Sequence, residues 1–374
     1  MLSDVDDTIV CPNPGCEKMS QCRSKADARH FLAGKDRRLE SEEFYPGVAE
    51  LMLGLARGPR AGSGDKEDVP YVPAKPMLLS ARARELEVFV GIDQDSPINA
   101  YIEATGSAHS QPSWGVDVDG SMYGTLTDGT SFTEFGQTKA RSYVSLSEER
   151  GTTRFGFLGD NGQGDVCAAQ SMLEAADGKG ERMEAVLIHL TQDPAKALTA
   201  CQHPDGEDFT LDLPEGDRVH YYSVHSDAAL WAWERGFISA CAARAVYEAV
   251  ETWRRCRCPG VEGECEKEGE LRTGVTDVAT RNETLAYCED VEVAQSALAN
   301  ATDGILSGDS SENACGDIAT LENNNETLGN ASDLATNATC SSNGSSRTGT
   351  LLAFSGRRLV SVILAAIVGL IFMS

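Results

Sequence analysis

Short apolar runs alternate with amphipathic stretches through the first two-thirds of this chain. Met77–Leu79, Phe155–Leu158, Met183–Leu190 and Val219–Val224 are compact hydrophobic runs bounded by polar residues or glycine. Runs of this length and composition suit strands buried on both faces of a parallel sheet. The stretches between them carry a helical period. Pro46–Arg57 has proline in its first turn and places Val48, Leu51, Met52 and Leu55 on one face. Val166–Ala175 carries Ala169, Met172 and Leu173. Ser226 precedes an Ala-rich stretch containing three Trp, which predicts one long helix over Asp227–Arg254. Strand–helix alternation over residues 1–255 predicts an α/β domain built on a doubly wound, mostly parallel sheet.

The pattern changes after residue 255. Cys256, Cys258 and Cys265 cluster in a transition spanning 256–298. Disulfides tying down the domain end are one reading; a metal knuckle is the other, and it lacks a nearby His for a fourth ligand. Residues 299–350 are rich in Asn, Ser, Thr, Ala and Gly, and from Asn282 to Thr350 eleven acidic residues face one basic residue, Arg347. Such a segment buries too little apolar surface to offset its chain entropy, so a tether is expected. Asn282, Asn300, Asn325, Asn330, Asn337 and Asn343 each begin an Asn-x-Ser/Thr sequon, which suggests a glycosylated stalk.

Leu359–Met373 is an apolar run of fifteen residues. As a helix it would span ~22 Å, less than the usual requirement for crossing a bilayer. Small residues at Asn343–Ser346 and a spacer of twelve residues precede it, a layout that resembles a GPI-attachment signal. The alternative is a C-terminal membrane anchor with Arg357 and Arg358 holding the domain in the cytosol. The first places the domain in the secretory pathway or at the cell surface, as the sequons and the twelve cysteines favour. The second leaves the sequons unused. No apolar leader precedes Leu2–Ser3–Asp4, so the first strand and a targeting segment are expected to begin before Met1.

Charge narrows the partners. The chain has 58 acidic and 32 basic residues, a net charge of −26. Nucleic acid and electrostatic docking on anionic lipid both require a basic surface. Candidate chemistry lies in the acidic residues. Residues 3–9 read Ser-Asp-Val-Asp-Asp-Thr-Ile, with Asp4, Asp6 and Thr8 alternating. At a strand end, residues two apart point the same way, so the two carboxylates can converge and divide their roles through split pKa values. Asp117-Val-Asp119-Gly-Ser121 nearly repeats the pattern but has no apolar strand before it, and is read as a surface loop. Three further features follow in order: Ser80 ends the run at Met77–Leu79, Lys139 offers a cation, and Phe155–Leu158 leads into Gly-Asp160-Asn-Gly-Gln-Gly-Asp165. Carboxylates at strand ends together with a substrate phosphate are the usual ligands of Mg²⁺.

SDVDDT, LLSAR, Lys139 and GDNGQGD match, in order, the four motifs of the haloacid-dehalogenase superfamily, and the chain resembles its phosphatases. Within the superfamily, SDVDDTI, FYPGVAEL, PMLLSARARE, FGQTK and FGFLGDNGQGD are similar to the catalytic domain of the fungal actin-patch phosphatidate phosphatase family, over about residues 1–180. The resemblance implies a haloacid-dehalogenase-like Rossmannoid fold with a flap insert at 11–45, and a Mg²⁺-dependent hydrolase. It implies Asp4 as nucleophile, Asp6 as acid–base with its carbonyl on the metal, and Thr8 supporting the loop. Ser80 and Lys139 would hold phosphoryl oxygens, with Asp160 and Asp165 in the metal shell. It points to a lipid phosphate such as phosphatidate. A soluble phosphomonoester, or a glycoprotein that keeps the fold without catalysis, are the alternatives. Cys11, Cys16, Cys22 and His30 in the insert leave disulfides, thiols and a zinc site open. If the domain enters the secretory route, an amidase that removes N-glycans will increase its gel mobility; an unchanged band would place it in the cytosol.

Overall fold

A computed structural model describes residues 1–11, 36, 38–39, 43–59, 72–83, 93–124, 131–151, 153–162, 164–179, 182–193, 200–258 and 278–306. Six strands form one parallel sheet: β1 (Leu2–Ser3), β4 (Met77–Ala83), β5 (Met122–Gly124), β6 (Arg154–Asp160), β7 (Arg182–His189) and β10 (Val219–Tyr222). Their order across the sheet is β10-β7-β6-β1-β4-β5. Two antiparallel pairs stand outside it: β2 (Val10–Cys11) with β3 (Glu43–Phe44), and β8 (Ala200–Gln202) with β9 (Asp208–Thr210). The first pair closes the base of the 11–45 insert. The helices are α1 (Val48–Arg57), α2 (Pro97–Ala108), α3 (Phe132–Arg150), α4 (Asp165–Lys179), α5 (His225–Glu234), α6 (Ala240–Arg257) and α7 (Val278–Leu306).

Each central strand sends alternate residues into two separate cores, which is why its sequence is apolar almost throughout. Leu2, Met77, Leu79, Phe157, Val186 and Ile188 pack with α3 and α4. Leu78, Leu158 and Leu187 face α1, α2, α5, α6 and α7 on the other side. The expected doubly wound α/β architecture is therefore present. From β1 the chain builds outward through β4 and β5, then returns to the other side of β1 with β6 and continues through β7 and β10. The winding reverses between β1 and β6, the place where open α/β sheets hold their ligands.

Two expectations need correction. The single long helix over Asp227–Arg254 is two helices, α5 and α6. Gly236 adopts φ 70°, the N–H of Phe237 bonds the carbonyl of Ala232, and the N–H of Gly236 bonds that of Trp233. These paired bonds close a helix C-terminus around a left-handed glycine. Ser239 then caps α6 through the N–H of Ala242 at 3.2 Å. Ser226 is not the N-cap of α5; Val224 is, without a side-chain bond.

The second correction concerns the domain end. Residues 256–298 are not merely a transition, because α7 completes the core with Tyr287, Val291 and Leu298 fully buried. The helix also runs seven residues past the expected start of the tether at 299. Cys258 pairs with Cys288 and fastens α7 to the end of α6, while Cys167–Cys201 joins α4 to β8. Cys241 and Cys256 are disulfide-bonded as well. Cys16, Cys22, His30 and Cys265 lie outside the described residues. Asn300 is exposed on α7, and Asn282 stands in its first turns. Asn325, Asn330, Asn337, Asn343 and the apolar run at 359–373 also lie outside the described residues. Among those described, no helix is long and apolar enough to cross a membrane.

If α7 belongs to the core, Leu298→Ala should cost about 3 kcal/mol in urea unfolding of the full chain. Val293→Ala, on the exposed side of the same helix, should change stability by less than about 0.5 kcal/mol. Equal small effects would mean that α7 lies outside the cooperative unit.

Candidate active site

At the winding reversal, Asp4 follows β1 and Asp160 ends β6. The N–H of Asp4 bonds the carbonyl of Leu158 at 2.9 Å, so the sheet ladder itself sets the first carboxylate beside the second strand. Asp165 opens α4, five residues after Asp160. Lys139 reaches in from the middle of α3, which begins with a reciprocal cap between Ser131 and Glu134. The Lys139 Nζ lies 2.7 Å from Asp4 Oδ1 and also donates to Asp165 Oδ1. Asp165 Oδ2 accepts the N–H of Asp160 at 3.1 Å, and Asp160 Oδ1 accepts the N–H of Gly162.

Two glycines make this approach possible. A Cβ on Gly136, one turn before Lys139, would stand 2.5 Å from the carbonyl oxygen of Gly164; a Cβ on Gly164, with φ 89°, would stand 2.0 Å from that of Phe132. Any side chain at either position would push α3 off the loop that carries Asp165.

All four charged side chains are buried. Burial raises the Asp4 carboxyl to about 7, the negative charge of Asp165 adds to the rise, and Lys139 and Asp6 act on it in opposite directions. Asp160 is likewise raised, by burial first and then by Asp165. For Lys139 burial alone would favour the neutral amine, but Asp165, Asp4 and Asp160 hold it above the usual lysine range. One ammonium cannot balance three carboxylates. Asp4 Oδ2 and Asp160 Oδ2 are buried and have no hydrogen-bond partner, and oxygens of Asp4, Asp160 and Asp165 lie within 4.8 Å of one another. Orphaned oxygens in an acidic cluster of this size fit a divalent cation with oxygen preference. The donor set is not specific to one metal.

The structure thus brings together Asp4, Lys139, Asp160 and Asp165. Asp6 and Thr8 do not follow by strand alternation, because β1 stops at Ser3. The chain instead makes a tight turn, with the N–H groups of Ile9 and Val10 both on the carbonyl of Val5 at 2.9 and 3.2 Å, and Asp7 at φ 59°. Asp6 is buried in that turn, as is Thr8, whose hydroxyl has no partner. Ser80 is buried inside β4 rather than at its end, and a register shift follows it. The near-repeat at Asp117 lies at the opposite end of the sheet, where the N–H of Asp117 bonds the carbonyl of Pro76 just before β4.

Sequence reasoning missed the groups that hold the loops. Asn161 Oδ1 accepts the N–H groups of Thr191 and Gln192 at 2.9 and 3.1 Å, locking the loop after β6 to the loop after β7. His189 ends β7 fully buried beneath the Asp7 turn; burial, reinforced by Arg38, lowers it to about 4 and keeps it neutral. The presence of Asn161 within GDNGQGD was visible, but its partners thirty residues on were not. Comparison of the chain with protein-family models, curated proteins and solved structures finds no match.

The electrostatics give a measurable pH dependence. With its pKa raised from the ordinary carboxyl range to about 7, Asp4 favours the fold while protonated. That contribution is complete below about pH 4 and lost as pH rises through about 7. In EDTA, Asp4→Asn should therefore gain stability relative to the native chain between about pH 4 and about pH 8. Mg²⁺ should raise the melting temperature of the native chain more at about pH 8 than at about pH 6, since binding requires the ionised carboxylate. Asp160→Asn should abolish the rise. A metal response independent of Asp160 would place binding elsewhere.

Proposed function

We propose that this chain is a Mg²⁺-dependent phosphatase of the haloacid-dehalogenase type, acting through an aspartyl-phosphate intermediate on a lipid phosphate such as phosphatidate. The observation that carries the reading is the buried Asp4–Lys139–Asp165–Asp160 cluster at the reversal of a parallel sheet, with two carboxylate oxygens left unpartnered. Its members fall in three of the four sequence motifs that resemble that superfamily's, SDVDDT, Lys139 and GDNGQGD, in the expected order.

The residues divide the work as follows. An ionised Asp4 oxygen attacks phosphorus, a new O–P bond forms, and the ester P–O bond breaks toward the departing alcohol. Asp6 supplies the proton that neutralises the leaving oxygen. Water then attacks the phosphoryl group, giving its proton back to Asp6, and the Asp4–phosphate bond breaks to release inorganic phosphate. Two displacements replace one difficult step. Lys139 holds Asp4 in line and offers its positive charge to the phosphoryl oxygens, whose charge is the main obstacle to attack. Ser80 and Thr8 supply hydroxyls on the neighbouring strand and in the Asp7 turn. When bound at Asp4, Asp160 and Asp165, Mg²⁺ would supply the remaining neutralisation.

A soluble phosphomonoester is the second reading. The net charge of −26, without a cationic run, gives the chain no evident grip on an anionic lipid surface. The test is phosphate release by the full chain from short-chain phosphatidate and from an aryl phosphate, with Mg²⁺ or EDTA. Release should require Mg²⁺ and fall by on the order of 10³-fold or more in Asp4→Asn. Preference for phosphatidate supports the lipid reading; preference for the aryl ester supports the soluble one. No release from a cooperatively melting chain would remove the enzymatic assignment.

A further inference from the structure

Beneath the Asp7 turn lies a second polar cluster that the proposed reaction does not use. Buried Asp36 and half-buried Arg38 form an ion pair, with Arg38 Nε at 2.9 Å and a terminal nitrogen at 2.8 Å from Asp36 Oδ2. The Tyr45 hydroxyl donates to the same oxygen at 2.5 Å. The other face of Arg38 meets His189 Nε2 at 2.9 Å and the carbonyl of Ser223 at 3.3 Å. His189 Nδ1 lies 2.7 Å from the carbonyl of Asp7. Nε2 also stands 3.1 Å from the carbonyl of Ser223, but Arg38 can only donate to it and the Nδ1 contact is the shorter, so the neutral ring carries its hydrogen on Nδ1 and Nε2 receives Arg38.

These contacts converge on one residue. Asp7 gives its N–H to Val10 at 3.0 Å, its carbonyl accepts from His189, and its Oδ1 accepts the N–H of Asp36 at 3.0 Å. The N–H, the carbonyl and one carboxylate oxygen of Asp7 are thereby engaged while it holds a left-handed backbone at φ 59°, a conformation that residues with a Cβ adopt uncommonly. Asp7 adjoins Asp6 and lies three residues beyond Asp4, so its conformation sets where both carboxylates stand. On its far side, Arg38 stacks over the ring of Tyr287 at 4.8 Å, and its carbonyl accepts the hydroxyl of Thr284 at 2.8 Å. Both of those residues are on α7.

We propose that Arg38, oriented by Asp36 and acting through His189, is a positioning residue for the 4–10 loop, and that it makes the geometry of the Asp4–Asp6 pair depend on the seating of helix α7. A buried ion pair is weak evidence for stability, because desolvation offsets its attraction. What a planar, forked cation adds here is direction: one side chain touches Asp36, His189, Ser223 and Tyr287 at fixed angles. The kinetic consequence rests on the phosphatase reading; the structural consequence does not.

The test therefore has two arms on the full chain. Hydrogen exchange read by mass spectrometry over residues 2–11 needs no substrate. Arg38→Met should raise exchange there by about tenfold or more, with β6 and β7 unchanged. Should Arg38→Met not fold, Tyr287→Leu keeps the ion pair, removes the stacking, and should produce a smaller rise in the same peptide. His189→Asn retains a donor near Nδ1 and should stay close to the native chain, whereas His189→Gln, which moves its donor away from Asp7, should match Arg38→Met. A merely structural role would make both His189 variants equally loose. In the kinetic arm, kcat should fall by about 10–100-fold with KM within about threefold. Raised exchange without any phosphatase activity in the native chain would keep the positioning role and remove the reaction. Native exchange at residues 2–11 in folded Arg38→Met, or equal behaviour of the two His189 variants, would overturn the proposal.

Discussion

Three carboxylates and one ammonium share a volume from which water is largely excluded, and the fold is arranged around keeping them there. Burial first, and then repulsion between the like charges, disfavours ionisation, and Asp4 and Asp160 both move upward. The cluster persists because each carboxylate is fixed by backbone that has other reasons to be where it is. Asp4 is tied to β6 through Leu158, Asp160 ends a strand paired along its length with β7, and Asp165 opens a helix. Lys139 enters one turn beyond Gly136, where α3 meets the loop closely against Gly164. Removing the lysine would leave uncompensated charge, while adding a methyl at Gly136 would move the lysine out of reach.

The proposed chemistry and this electrostatic tension have one origin. A site that is uncomfortable when empty of cations is suited to a substrate that brings negative charge together with a divalent ion. The second cluster, around Arg38, is different in kind: its charges are paired, and the guanidinium is hydrogen-bonded to Asp36, His189 and the carbonyl of Ser223. It lies directly under the first, and Asp7 is the residue common to the turn of one and the contacts of the other.

Much of this was legible in the sequence, and the failures have identifiable causes. The four strands at 77, 155, 183 and 219 were found because burial on both faces forces continuous apolar runs. Asp4 and Asp160 were legible because each follows an apolar strand run, and Asp165 because it closes the glycine-rich stretch after Asp160; Lys139, in the middle of a helix, was singled out only by its place in the order of the motifs. The break between α5 and α6 was written in Gly236 and Ser239, but the apolar period runs through it and masked the stop signal. Helix α7 was passed over because its acidic, sequon-bearing composition resembles the tether that follows; among its described side chains one stripe, through Tyr287, Cys288, Val291, Ala294, Gln295 and Leu298, is buried. Asp36, Arg38 and His189 carried no local signal, since their meaning lies in contacts 29 and 182 residues distant in the chain from Asp7.

The central placement of β1 has a consequence for how the molecule comes into being. Leu2 and Ser3 precede in the chain both of the strands they pair with, β4 and β6, so β1 must wait for residue 158 before both of its edges are paired. The turn that follows waits longer still, because the ring and hydroxyl that steady Arg38 belong to residues 287 and 284. Contacts of such long range close late. Asp4 and Asp6 are therefore synthesised well before the contacts that fix their turn, which close only once α7 has packed.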